Sequence, residues 1–183
     1  AYLFGFVAIG ISPVGLWSAC GCVLLAVSML VVSIRFRWDQ LAVAGILCTY
    51  GTLLLRAQEM LVATPLWQGF TAGHLIVLIC WLAFESYDIL MLAGGPTLGI
   101  GRAILPLNFC FGLAAAVTLW PDTAPPGRLA AGVAVAYAVS TLSRLAVRKP
   151  AAFGQGSTPL KRGILGGYEA TVTLAAIATA VTI

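Results

Sequence analysis

The chain contains few charged residues. Lys and Arg together number 10, and Asp and Glu number 6, so that 9% of the 183 residues are charged. Soluble domains contain about 25% charged residues, and a fold of this length must expose more surface than so few charges can keep hydrated. The scarcity of charge therefore argues against a water-soluble globular protein. It predicts an integral membrane protein.

The chain also lacks the residue sets on which enzymes rely. It contains one histidine and five cysteines, and we can assemble no nucleophile, base and orienting group for hydrolysis. The cysteines lie inside apolar runs, where their ordinary role is that of small buried hydrophobic side chains. The glycine-rich segment 94–101 lacks the spacing of phosphate-binding loops. The sequence therefore gives no indication of catalysis or of a metal-binding cluster.

What the chain does have is a series of apolar runs separated by short polar connections. Apolar residues make up 61% of the sequence. A helix needs about 20 residues to cross a bilayer core of about 30 Å, and several runs are shorter, which favours a tightly packed bundle. We predict an all-α, polytopic transmembrane helix bundle of about six to seven short spans, forming a single domain over residues 1–183. The predicted spans are 2–12 (partial), 13–34, 41–55, 67–84, 103–120, 129–147 and 164–183.

Basic residues are distributed unequally among the connections. Eight follow the second, fourth and sixth spans, whereas only Arg56 and Arg128 follow the third and fifth. Because cytoplasmic loops carry the excess of Lys and Arg, we expect the start of the chain in the cytoplasm and Ile183 outside. This role accounts for the formal net charge of +4, so nucleic acid is not an expected partner. The eight residues are Arg35, Arg37, Arg102, Arg144, Arg148, Lys149, Lys161 and Arg162.

Small residues recur every four positions on two of the predicted spans. In lipid no hydrophobic effect draws helices together, and small residues at this spacing let helix backbones approach closely. The two stripes are therefore candidates for helix contact faces. The alternative is that alanine-rich helices produce such stripes by chance. The stripes are Asn108, Gly112 and Ala116 on the fifth span, and Gly132, Ala136 and Ser140 on the sixth.

His74, the single histidine, lies within the fourth predicted span. An imidazole in a transmembrane helix is the usual axial ligand of haem, and it also ligates the magnesium of chlorophyll. The small neighbours Ala72 and Gly73 leave room for a flat ring. A haem held by two histidines would need a second one, which the chain lacks. The alternative is a hydrogen-bonded histidine at a helix interface.

Three carboxylates are candidates for an ion or proton path. Glu85 and Asp88 lie three residues apart near the cytoplasmic end of the fourth span, and Glu169 lies near the start of the seventh. Ionisable groups inside a membrane are costly and count as functional candidates. The simpler alternative is a set of salt bridges to Arg35, Arg37 or Arg102. Arg144, just inside the sixth span, is expected to snorkel to the cytoplasmic surface.

The connection before the seventh span is basic and rich in glycine, serine and proline. Such a segment can bind anionic lipid headgroups or an acidic partner subunit. The alternative is a plain orientation signal. Its basic residues are Arg148, Lys149, Lys161 and Arg162.

Three segments carry a resemblance to a known family. They are RFRWDQLAVAGILCTYGTLLLR at 35–56, LPLNFCFGLAAAVTLW at 105–120 and LAAIATAVTI at 174–183. Together with their surroundings, about half of the chain, they resemble a large bacterial family of uncharacterised polytopic membrane proteins, classed as a domain of unknown function. The resemblance implies a long array of short paired helices in the bacterial inner membrane. It also implies that this chain is a segment of a longer one, as its apolar, unflanked ends suggest, and it supplies no site residues.

These observations favour a non-catalytic membrane subunit or scaffold that packs in a longer helix array or against other membrane subunits. The first alternative is a pigment- or haem-binding accessory subunit with His74 as axial ligand. The second is a transporter or channel component that uses Glu85, Asp88 and Glu169.

Overall fold

A computed structural model describes residues 2–12, 16–57, 65–67, 70–93, 99–121 and 125–147. These residues are almost entirely helical, which confirms the predicted all-α class. A 3-10 helix, Gly99–Ala103, precedes α5, and two short antiparallel strands, β1 (Pro65–Trp67) and β2 (Phe70–Thr71), precede α4. The helices of the described residues are α1 (Tyr2–Ile11), α2 (Leu16–Phe36), α3 (Asp39–Leu55), α4 (Ala72–Ala93), α5 (Ile104–Thr118) and α6 (Pro126–Val147).

Two of the described helices are long and apolar enough to cross a bilayer. They are the Trp17–Phe36 part of α2 and the whole of α4. Three others, α1, α3 and α5, are also apolar but have only 10, 17 and 15 residues. Helix α6 is as long as α4, at 22 residues, but carries more polar side chains, among them Arg128 and Arg144.

The helix boundaries agree with the predicted spans except in α4. The fourth span was predicted at 67–84, but α4 is Ala72–Ala93. At its beginning, Trp67 and Phe70 lie in the two strands instead. At its end, Glu85 and Asp88 are buried against another helix, so their charges do not mark an exit into water. The seventh predicted span lies outside the described residues.

Helix α3 lies at the centre of the described helices. It packs against α1, α2, α4 and α5, and α4 packs in turn against α2, α5 and α6. The buried residues Ala42, Ile46 and Leu53 of α3 recur at helical spacing. They pack with Tyr50 of the same helix and with Phe84 of α4 in the largest core cluster. The core therefore holds α2, α3, α4 and α5 together, and α6 packs on the outside of α4.

Large apolar side chains also cover the outside of the helices. Phe4 is 80% exposed, Trp17 88% and Leu55 89%. Helices that are apolar on all sides occur in protein interiors or in membranes. The described helices are thus apolar on the outside as well as in the core.

The connection between α2 and α3 is a two-residue turn. Arg37 has a positive φ of 55°, the left-handed conformation that commonly ends a helix. The N–H of Trp38 donates to the carbonyl of Ser33 at 3.1 Å, which satisfies one of the last carbonyls of α2. So short a connection makes α2 and α3 antiparallel neighbours.

Candidate functional site

A cluster of charged side chains joins α4 to α6. We call Glu85, Asp88, Ser140 and Arg144 the charge cluster. Glu85 Oε1 accepts hydrogen bonds from Arg144 Nη2 at 2.5 Å and Nε at 3.0 Å, and from Ser140 Oγ at 2.5 Å. Arg144 Nη1 lies 2.6 Å from Asp88 Oδ2. One guanidinium group therefore holds two carboxylates of the neighbouring helix.

Helical spacing brings these four side chains together. Glu85 and Asp88 are three residues apart on α4, and Ser140 and Arg144 are four apart on α6, so each pair lies on one helix face. All are buried, and Arg144 is only 1% exposed. The prediction that Arg144 snorkels to the surface is therefore wrong. The bridge that the structure shows for Glu85 and Asp88 is to Arg144. Arg35 and Arg37 are exposed, and the side chain of Arg102 is outside the part of the chain that the structure describes.

The charges of the cluster do not balance. Two carboxylates and one guanidinium sum to −1 when all are ionised, from (−1) + (−1) + (+1). Glu85 Oε2 is buried and has no hydrogen-bond partner, although Oε1 of the same carboxylate accepts from two residues. Such an unpaired buried oxygen is costly. Its place in a charged group makes it the most unusual polar atom of the cluster.

His74 forms a second polar site, at the beginning of α4. Its Nδ1 accepts from the backbone N–H of Thr71 at 3.1 Å and lies 2.9 Å from Thr71 Oγ1. Because a backbone N–H can only donate, Nε2 carries the ring hydrogen and donates to the Ala116 carbonyl at 3.1 Å. The first contact resembles a capping box in which histidine replaces the usual Glu or Gln.

The Ala116 carbonyl is available to His74 because α5 ends there. The N–H of Trp120 donates to the Val117 carbonyl and not to that of Ala116. The rings of Phe70 and Trp120 each lie 5.6 Å from the imidazole. Both ring nitrogens therefore have protein partners, and a haem iron or a chlorophyll magnesium would have to displace one of them. The ligand role of His74 stays a prediction.

An apolar cavity of about 320 Å³ adjoins His74 between α4, α5 and α6. Four small residues that were predicted to form helix contact faces line it, namely Gly112, Ala116, Gly132 and Ala136. Among the described residues, a Cβ atom on Gly132 would meet only Phe70, at 3.6 Å. The small residues of α6 thus leave space opposite α5 in this part of the bundle. Ser140, the last residue of that stripe, contacts Glu85 instead.

Asn108 connects three helices by hydrogen bonds. Tyr50 Oη of α3 donates to Asn108 Oδ1 at 2.8 Å, and Asn108 Nδ2 donates to the carbonyl of Trp81 in α4 at 3.2 Å. Trp81 Nε1 in turn donates to Tyr137 Oη of α6 at 3.0 Å. Polar side chains that bond across helices stabilise bundles in lipid. Sequence reasoning identified Asn108 but missed Tyr50, Trp81 and Tyr137, whose aromatic rings gave no signal of their partners.

The other predicted site residues cannot be placed. Glu169 of the predicted ion path, and the four basic residues predicted to bind lipid headgroups, lie outside the described residues. These four are Arg148, Lys149, Lys161 and Arg162. Within the described ranges, no group of three His, Cys, Asp or Glu side chains is placed to hold a metal ion.

Comparisons of this chain with protein-family models, with curated proteins and with solved structures found no match.

Proposed function

We propose that the chain is a non-catalytic subunit or scaffold of the membrane. It is embedded as a multi-pass helix bundle and packs against further helices of a longer array or of a larger membrane complex. The observation that carries this proposal is the distribution of polarity in the described helices. Glu85 and Asp88 are buried and each is paired with the buried Arg144, while large apolar side chains such as Trp17 and Leu55 face outward.

The lengths of the helices support the multi-pass part of the proposal. Helices α2 and α4 meet the length of about 20 residues that a spanning helix needs. With 17 residues, α3 is about 26 Å long at 1.5 Å per residue, close to a bilayer core of about 30 Å. The antiparallel arrangement of α2 and α3 then takes the chain across the membrane and back.

The outer face of α6 supports the scaffold part. Ala131, Val135, Ala138 and Leu142 are exposed and lie at successive helical spacings along α6. A helix face built from small and apolar residues lets a further helix approach closely in lipid. We call these four residues the outer α6 face. It is the face at which we expect another helix of the array or complex to pack.

Native mass spectrometry of the protein, extracted from its membrane in mild detergent, tests the proposal. We expect a mass larger than one chain, from additional copies or from other membrane proteins. Replacing Ala131 and Ala138 by Trp should reduce that assembly, because large side chains separate the helices. The control is Leu24→Ala, an exposed position on α2. A lone monomer would contradict the proposal. Unchanged assembly of the Trp variant would show that the outer α6 face is not the contact.

A further inference from the structure

The charge cluster holds more negative than positive charge inside the described helices. Arg144 is 1% exposed, Glu85 4% and Asp88 6%. Burying an uncompensated charge is expensive, and such a group commonly becomes neutral instead. With all three side chains ionised, the cluster itself would carry a net charge of −1. In keeping with this excess of negative charge, Glu85 Oε2 is buried without a hydrogen-bond partner.

The described groups around Glu85 supply no second cation. Tyr50 of α3 and Tyr137 of α6 interact electrostatically with Glu85, and both are neutral when protonated. Asp39 of α3 acts on Asp88 and adds negative charge. On α2, Arg35 is exposed, and the titratable groups that α2, α4 and α5 add nearby are thiols, which cannot carry a positive charge. These thiols are Cys22 of α2, Cys80 of α4 and Cys110 of α5.

Asp39 has its own stabilising partners, so it is counted separately. It is half-buried, lies in the first turn of α3 and accepts a hydrogen bond from Tyr87 Oη at 3.0 Å. A carboxylate in the first turn of a helix is stabilised by the helix dipole. Asp39 therefore has stabilising partners outside the charge cluster. The deficit of one positive charge belongs to Glu85 and Asp88.

We propose that the charge cluster is a proton-binding site in which Glu85 and Asp88 together hold one proton. The proton comes from water and forms an O–H bond to one carboxylate oxygen. The sum of charges then becomes zero, with one carboxylate paired to Arg144 and the other carboxyl group neutral. A metal cation would require several oxygen ligands, whereas Glu85 Oε2 is the one cluster oxygen that is buried without a partner. This inference goes beyond a scaffold role and does not depend on any partner chain.

Infrared spectroscopy of the whole protein in lipid nanodiscs tests the proposal. A protonated carboxyl group has a C=O stretch that a carboxylate lacks, and it shifts when D₂O replaces H₂O. In the wild type near neutral pH, we expect such a band with the intensity of one carboxyl group. Glu85→Gln and Asp88→Asn should each remove it, because each leaves one carboxylate paired with Arg144. Two variants are used, so that if one of them fails to fold, the other still tests the proposal.

Asp39→Asn is the matched control and should keep the band, because Asp39 contacts Tyr87 and not Arg144. Circular dichroism checks that each variant has the helix content of the wild type. The proposal is overturned if the wild type has no such band, or if a band persists in folded Glu85→Gln or Asp88→Asn. It is also overturned if sodium chloride, used in place of choline chloride, removes the band, because the site then binds sodium.

Discussion

At the scale of single residues, Arg144 joins α6 to α4 through two carboxylates. Its guanidinium group bonds Glu85 and Asp88, and Ser140 adds a hydrogen bond to the same Glu85 oxygen. Removing one partner of a buried ion pair leaves the other charge uncompensated, which is far more costly than losing an exposed pair. The charge cluster should therefore be sensitive to loss of its cation.

We expect Arg144→Met to lower the free energy of unfolding by about 3–5 kcal/mol. Thermal or denaturant unfolding in detergent, followed by circular dichroism, measures the change. The matched control is Val139→Ala, on the same helix, 56% exposed and outside the outer α6 face, which should change stability by no more than about 0.5 kcal/mol. Equal stability of the Arg144 variant and the wild type would mean that the charge cluster does not hold α6 to α4.

The sequence indicates some members of the charge cluster but not their pairing. Glu85 and Asp88 are recognisable because carboxylates are rare inside apolar runs. Their partner Arg144 lies 59 residues from Glu85, and the sequence does not reveal which helices are neighbours. An arginine near the end of a span is ordinarily expected to extend into water. The pairing could therefore not be predicted from local spacing alone.

His74 gives a second prediction at this scale. Because both imidazole nitrogens have protein partners, we expect His74→Ala to cost about 1–3 kcal/mol by leaving the Thr71 N–H and the Ala116 carbonyl unpaired. We also expect protein purified from its native membrane to show no haem or chlorophyll absorbance that depends on His74. Stability measurements and a visible spectrum check both. A Soret or chlorophyll band that His74→Ala abolishes would show that His74 is a ligand after all.

At the scale of helices, apolar runs predict well that a helix exists and less well where it ends. The predicted fifth span at 103–120 contains α5, Ile104–Thr118, and Pro126 provides the beginning of α6, as prolines often do in a first turn. Helix α4 extends to Ala93 because its charges are satisfied by α6. A charged residue marks a helix end only when it faces water. That condition depends on packing, which the sequence does not show.

The stripes of small residues predict only in part how closely the helices approach one another. Spacing identifies a face of small side chains, but not how close the next helix lies. At Gly112, a Cβ would lie 3.3 Å from Trp81 Cδ1 and 3.3 Å from Tyr50 Oη, whereas Gly132 faces the cavity. The two stripes therefore differ in their surroundings although their sequences look alike.

This difference predicts opposite effects of two glycine substitutions. Gly112→Ala should destabilise the protein by about 1 kcal/mol, because overpacking at a tight contact costs about 1–3 kcal/mol and exceeds the gain in helix propensity of about 1 kcal/mol. Trp81 and Tyr50 are held by hydrogen bonds and cannot easily move away. At Gly51, a Cβ would meet no atom of the described part of the chain within 4 Å. Gly51→Ala should therefore stabilise the protein by up to about 1 kcal/mol.

Unfolding measurements on the two alanine variants under the same detergent conditions provide the comparison. If Gly112→Ala were as stable as Gly51→Ala, the approach of α5 to α3 and α4 would be looser than the structure shows.

At the scale of the whole molecule, composition together with the lengths of the apolar runs predicts the all-α class. With 9% charged and 61% apolar residues, the chain has enough apolar surface to cover both the inside and the outside of a helix bundle. The structure adds the locations of charged side chains. Arg144, Glu85 and Asp88 are buried among the helices, and the exposed Arg37 lies in the turn between α2 and α3. The number of spans does not follow from composition, because α1, α3 and α5 are shorter than a typical spanning helix.

The central claim is a multi-pass bundle in the membrane, and labelling of single cysteines tests it most directly. The five native cysteines are replaced by alanine, and Arg37→Cys or Pro125→Cys is introduced, each at an exposed position next to a helix end. A membrane-impermeant maleimide should label Pro125→Cys on intact cells, and Arg37→Cys only after the membrane is permeabilised. Three of the described helices, α3, α4 and α5, lie between the two positions, so we expect the positions on opposite sides of the membrane. Equal labelling of both positions on intact cells, or recovery of the protein without membranes, would contradict the multi-pass bundle.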